Sequence, residues 1–115
     1  MITIENLRTL ALSFPETTEE PHFEKTSFRA RKKIFVSYDK KKNHAIVKLS
    51  EVDQDVFSIA DRNTIYPVPN KWGKQGWTVI DMNQINANVL EDAVTTAYCE
   101  VARQKLAELI RPKNK

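Results

Sequence analysis

Two short runs of cations, Arg31-Lys32-Lys33 and Lys40-Lys41-Lys42, flank the β-branched and aromatic stretch Ile34-Phe35-Val36-Ser37-Tyr38. Clustered cations suit a polyanion: each Lys or Arg that meets a phosphate releases condensed counterions, and this effect dominates nucleic-acid affinity. If the intervening stretch is a strand, about six residues at ~3.4 Å each set the two runs roughly 20 Å apart. At that spacing phosphates on both sides of a groove come within reach, although nothing in such contacts reads a base sequence. Arg29 and Lys48 belong to the same basic region. Residues 25–48 carry nine Lys or Arg against Asp39 alone, a net of +8, whereas residues 1–24 are net −4 and the remainder is net −1. The overall charge of +3 therefore conceals one strongly basic segment. A plainer reading competes with it, a solvated hairpin whose lysines keep sheet edges from aggregating.

A second candidate is the loop 70–77, with Lys71, Trp72, Lys74 and Trp77 and both glycines of the chain, Gly73 and Gly76. Glycines placed there imply positive φ. Trp77 is expected to pack in the core. Trp72 is open between covering a helix end and standing exposed beside Lys71 and Lys74 as a recognition aromatic. Chemistry beyond binding has little to work with. His22 and His44 are far apart in sequence and have no Cys, Asp or Glu at ligand spacing, so no metal site is expected. Two glycines three residues apart cannot build a phosphate-binding loop, and no nucleophile elbow is present. Glu19 and Glu20 are neighbours in a polar stretch, and a general acid needs burial to tune its pKa. Cys99 falls at the edge of an apolar helix face and reads as a packed residue. The expectation is a protein that is not an enzyme, with no catalytic residues and no cofactor.

The elements that must position these residues follow from periodicity. Residues 4–14 place Ile4, Leu7, Leu10, Ala11 and Phe14 at helical spacing, with Thr3 as N-cap and Pro15 as stop. Residues 15–21 read as an acidic turn. Alternation then puts Thr26, Phe28 and Ala30 on one side of a strand and Lys25, Ser27 and Arg29 on the other. Residues 34–38 and 44–49 give two more strands, so a meander of three is expected. If Ile34, Val36 and Tyr38 face the helices, Phe35 and Ser37 join Lys25, Arg29, His44, Ile46 and Lys48 on the opposite face. Ser50 with Asp53 marks the start of a second helix, in which Val52, Val56, Phe57 and Ile59 or Ala60 cover the sheet. Residues 65–68 can be extended, though Pro67 and Pro69 confine them to an edge or an irregular stretch, and residues 77–81 give a clearer strand. A long helix over residues 86–110 supplies Leu90, Val94, Ala97, Tyr98 and Val101 to the core. The predicted order is α-β-β-β-α-β-β-α: one α+β domain over residues 1–115, two-layered, with an antiparallel sheet and its helices on one face.

At 115 residues, roughly two thirds of the unfolded chain's surface can be buried, so neither disulfides nor a metal are needed for stability. One cysteine, and early charges where a signal peptide would be apolar, make the cytoplasm the expected location. No run approaches the ~18 apolar residues of a membrane span, and the mean hydropathy is −0.51, so no membrane association is expected.

Several landmarks together resemble the MmcQ/YjbR family of small bacterial proteins. They are Phe14-Pro15-Glu16, Phe28-Arg29-Ala30, Lys33-Ile34-Phe35-Val36, Val47-Lys48-Leu49, Tyr66-Pro67-Val68-Pro69, Gly76-Trp77, Ala97-Tyr98 and Val101-Ala102. The resemblance spans roughly residues 5–110, and its weight lies in the order and spacing of short motifs. One departure stands out: the first hairpin turn, often glycine-bearing in the family, reads Arg31-Lys32-Lys33 here. The resemblance implies a two-layer α+β fold and a DNA-binding role through a double wing of hairpins, with no established reaction. DNA is therefore the expected partner, met by Arg29, Arg31, Lys32, Lys33, Lys40, Lys41, Lys42 and Lys48, with Lys71, Trp72 and Lys74 as a recognition loop. The alternative is a protein partner or a homodimer held through the open sheet face around Phe35 and Ile46 and the Trp72 loop. A small ligand between sheet and loop would require a closed apolar pocket beside Trp72.

Overall fold

The computed structural model describes residues 1–22 and 25–102. Helix α1 (Ile4–Leu12) starts at a reciprocal cap in which the Thr3 hydroxyl accepts from the Asn6 N–H and the Asn6 side chain accepts from the Thr3 N–H. Strands β1 (Thr17–His22), β2 (Lys25–Ala30), β3 (Lys33–Asp39) and β4 (His44–Lys48) follow. Then come α2 (Glu51–Ala60), β5 (Ile65–Pro67), the one-turn α3 (Lys71–Lys74), β6 (Trp77–Asp81) and α4 (Ala87–Val101). All six strands form one antiparallel sheet in the order β1-β2-β3-β4-β6-β5. The α+β architecture with an antiparallel sheet is as the sequence predicts, with an edge strand and a short helix added. Residues 15–21 are not merely a turn: β1 is a strand with four exposed residues, and its Pro21 fits because an edge strand leaves its outer N–H groups unpaired. The long helix ends at Val101, where Ala102 leaves with ψ 149°. The rest of the expected 86–110 helix lies outside the described residues.

One side of the sheet carries the core. Phe28, Val36, Ala45, Val47 and Ile80 are fully buried there beneath Leu7 and Ala11 of α1 and Ala93, Val94, Ala97 and Tyr98 of α4. Phe35 joins them. β2 and β3 pair Phe28 with Val36 but Arg29 with Ile34, so Phe35 is the extra residue of a β-bulge. A bulge turns two successive side chains to the same side. Phe35 thus meets Tyr98 edge-on, ring centroids 5.4 Å apart, and Phe14 at 6.1 Å, while Phe14 stacks on Tyr98 at 4.8 Å. Such pairs add about 0.5–1.5 kcal/mol each beyond area burial. The expected exposure of Phe35 is therefore reversed, and Ile34 takes its place on the opposite face.

α2 departs from its expected orientation as well. Its Ser50 hydroxyl caps the Asp53 N–H as the sequence suggests, but Val52, Val56 and Ile59 are 71%, 60% and 68% exposed. The inward positions are Phe57 and the buried Gln54, whose amide donates to the carbonyls of Gly73 and Trp77 and to the Thr78 hydroxyl. A buried amide with its donors satisfied outweighs the sorting of aliphatic residues along this helix. Both glycines are required, each for its own reason. Gly76 has φ +102°, and a Cβ there would lie 1.8 Å from the Leu49 carbonyl oxygen; at Gly73 a Cβ would lie 2.0 Å from that of Val68.

Candidate nucleic-acid interface

Pleating sorts the remaining residues onto the uncovered face. From β1 to β5 it presents His22, Lys25 and Arg29, then Ile34 and Ser37, then His44, Ile46 and Lys48, and finally Trp77, Val79 and Tyr66. The charge of the basic segment has nowhere else to go, because the core side of β2, β3 and β4 is apolar. Arg29 lies over the open face, its Nε donating to the Ser27 hydroxyl at 3.0 Å. Lys48 sits across from Trp77 on the same face.

The two basic turns occupy opposite ends of β3, as expected from the sequence, and do not converge. The first is a two-residue loop: Ala30 pairs with Lys33, and Arg31 and Lys32 have φ of 47° and 76°. Two successive left-handed residues give the I′ geometry that matches strand twist, usually supplied by Asn or Gly. Lys32 and Lys33 are exposed. Arg31 is committed to Glu16 through two hydrogen bonds of 2.6 and 2.7 Å, which raise its pKa further above its ordinary value.

The second turn is held from beneath. Asp39 accepts from the Lys41 N–H, Asn83 donates to the Lys42 carbonyl, and Asn43 accepts from the Tyr38 hydroxyl while donating to the Ile2 carbonyl. Asp81 fixes Asn83, accepting from its backbone N–H at 2.9 Å and its side chain at 2.8 Å, and also accepts from Gln84. Burial pushes the Asp81 carboxyl up, but these hydrogen bonds and His44, 3.8 Å away, hold it below its ordinary value. Lys40, Lys41 and Lys42 project from this anchored loop, exposed and with no ion pair among the described residues.

A trough of about 460 Å³ runs diagonally over the open face. At one corner are Lys25, Lys42 and His44; at the other are Tyr66, Trp72 and Trp77; Ser37, Ile46 and Val79 line the stretch between. Trp77 is therefore not a core residue, because it pairs with Lys48 on the face away from the helices. Trp72, on α3, is 49% exposed, with the Lys71 ammonium 5.8 Å from its ring centroid. Lys74 is exposed one turn further along α3. The trough is open rather than the closed pocket a small apolar ligand requires. Tyr66 is the aromatic that sequence reading missed; its signal was alternation with Pro67 in a strand only three residues long. Among the described residues no cluster of His, Cys, Asp and Glu is arranged to hold a metal ion, and no helix is long and apolar enough to cross a membrane.

Helices α1 and α4 pack on one side of a six-stranded antiparallel sheet whose other side carries basic and aromatic residues, which defines a small α+β sheet protein. The YjbR family model matches residues 12–100, and the chain belongs to the YjbR family. The fold is similar to that of DR2400 from Deinococcus radiodurans, a crystal structure described as having a DUF419 domain. The TM-score is 0.76 at 18% identity, over 91% of this chain and 82% of that one. No curated protein sequence matches significantly. These likenesses fix the family and the fold.

Proposed function

We propose that this protein binds DNA without catalysing a reaction, using the cations of residues 25–48 as phosphate contacts. The observation that carries this reading is how the charges are paired. Arg8 is neutralised by Glu5 and Glu19 on the helical side, and Arg31 by Glu16. Lys32, Lys33, Lys40, Lys41 and Lys42 have no ion pair among the described residues and stand on turns at both ends of β3. Arg29 and Lys48 extend the positive surface over the open face at the β2–β3 turn end of the sheet. Phosphate contacts of this kind position a duplex without reading its sequence. The free Cys99 suits a reducing compartment such as the cytoplasm.

The test is fluorescence anisotropy of a labelled random duplex at several salt concentrations, with the wild type and a Lys40/Lys41/Lys42→Ala variant. Wild-type affinity is expected to fall steeply with salt, and the variant's slope of log K against log salt to be shallower by about 2–3, near 0.9 per lost phosphate contact. Absence of binding at low salt, or a slope unchanged in the variant, overturns the reading. A second reading rests on Ile34, Ile46 and Val79 at the centre of the open face, which suit a protein partner or a second copy; such an interface depends little on salt.

A further inference from the structure

We infer that the trough on the open face is a stacking site for an unpaired nucleobase and its phosphate, so that among nucleic acids this chain favours single strands over duplex. The inference rests on the DNA-binding reading and specifies the form of nucleic acid.

Three features of the trough carry it. Its aromatic corner brings together Tyr66 from β5, Trp72 from α3 and Trp77 from β6, three rings of one twelve-residue stretch that the β6-β5 pairing and the short helix between these strands turn toward the same trough. Base stacking on aromatic side chains requires a base taken out of the duplex, where its faces are otherwise occupied. At the opposite corner, Lys25 and Lys42 supply cations at the end of β2 and on the 40–43 turn, and His44 lies beside them. Asp39, the carboxylate in this corner, already accepts the Lys41 N–H. A base at the aromatic end and a backbone running toward the lysines match this polarity, and Ser37, Ile46 and Val79 leave a floor without bulky side chains. The volume of about 460 Å³ lies within the ordinary range for small-ligand sites and admits a base with its sugar. Duplex DNA meets the turns; only an unpaired base fills the trough.

The experiment titrates the full chain with oligothymidine, with a duplex of the same length and with thymidine 5′-monophosphate, following intrinsic tryptophan fluorescence and anisotropy. Trp72→Ala, Tyr66→Ala and Trp72→Phe are compared, with circular dichroism verifying that each folds. The expected result is tighter binding of oligothymidine than of duplex, with tryptophan quenching. Trp72→Ala and Tyr66→Ala should each lose at least about fivefold in single-strand affinity, while Trp72→Phe keeps most of it. Duplex affinity should fall by less than single-strand affinity in Trp72→Ala and Tyr66→Ala, so that the preference for the single strand narrows. If the monophosphate quenches with affinity equal to the oligonucleotide, the base site stands and its ligand is a free nucleotide. Equal binding of strand and duplex, indifferent to Trp72 and Tyr66, overturns the inference and leaves the DNA-binding reading intact. If neither strand nor duplex binds at low salt, the DNA-binding reading itself fails.

Discussion

Arg31 and Glu16 face each other across the base of the β2–β3 turn, both with left-handed backbones at φ 47° and 56°, joined by two side-chain hydrogen bonds and by the Arg31 N–H donating to the Glu16 carbonyl. The contact ties the β2–β3 turn to the segment leaving α1, fifteen residues earlier. It also removes one cation from a tip that otherwise offers only positive charge. That turn thus offers fewer unpaired cations than its three consecutive basic residues suggest.

Neutralising the acid should release the base. Glu16→Gln is expected to steepen the salt dependence of duplex binding by about one in the slope of log K against log salt, as Arg31 becomes available to a phosphate. Anisotropy titrations at four or more salt concentrations measure it. An unchanged slope would mean that this tip does not reach the backbone.

The same turn stores strain that glycine relieves. Lys32 has φ 76°, where a side chain costs about 1 kcal/mol and glycine almost nothing. Lys32→Gly should raise stability by about that amount in urea unfolding, with m unchanged. A loss of stability would show that the Lys32 side chain makes a contact worth more than the strain.

Adjacent residues of β3 should respond unequally to truncation. Phe35→Ala empties the centre of the Phe14–Tyr98 cluster and is expected to cost about 3–5 kcal/mol. Ile34→Ala, on the half-covered open face, should cost about 1 kcal/mol or less. Denaturant midpoints distinguish them, and equal losses would place both in the core.

Acid should act through Asp81. Its folded-state pKa lies below the ordinary value of 3.8, so its contribution is fully present above that value and drains away as pH falls through the lower, folded one. Asp81→Asn should be less stable than wild type at pH 7, with the gap narrowing below about pH 4. Because Asp81 holds Asn83, and Asn83 holds the Lys42 carbonyl, amide exchange in the 40–43 turn should quicken in the variant. A gap constant with pH would remove Asp81 as its source.

What the sequence disclosed depended on whether a local rule operated undisturbed. β2 alternates without a break, so the sides taken by Phe28 and Arg29 were legible. β3 alternates too, but the bulge consumes one residue and a period-two count carried past it puts Phe35 on the wrong face. β1 carries Thr, Glu and Pro because it is an edge, and polar residues on both faces leave no periodic signal. The start of α2 was readable from Ser50 and Asp53, whereas its inward side was set by Gln54 finding acceptors on α3 and β6, which no pattern within the helix encodes. The lysines of the two turns were visible as composition, but the capture of Arg31 by Glu16 exists only in three dimensions. Trp72 and Trp77 were legible as members of one loop, whereas Tyr66 joins them only through the β5–β6 pairing.

The sheet ends in two outer strands, and each carries proline. β1 holds Pro21 among exposed residues that include Glu19 and Glu20, and β5 is three residues long and closes on Pro67, with Pro69 just beyond. A missing N–H interrupts the ladder that an incoming strand would need, and the Glu20 carboxylate disfavours another copy of the same edge, Glu19 being paired with Arg8. Growth of the sheet sideways, by strand exchange or fibril-like stacking, is blocked at both margins. Association is thereby channelled to the broad faces: a dimer of this protein would meet surface to surface, and forming it would compete directly with whatever the open face binds.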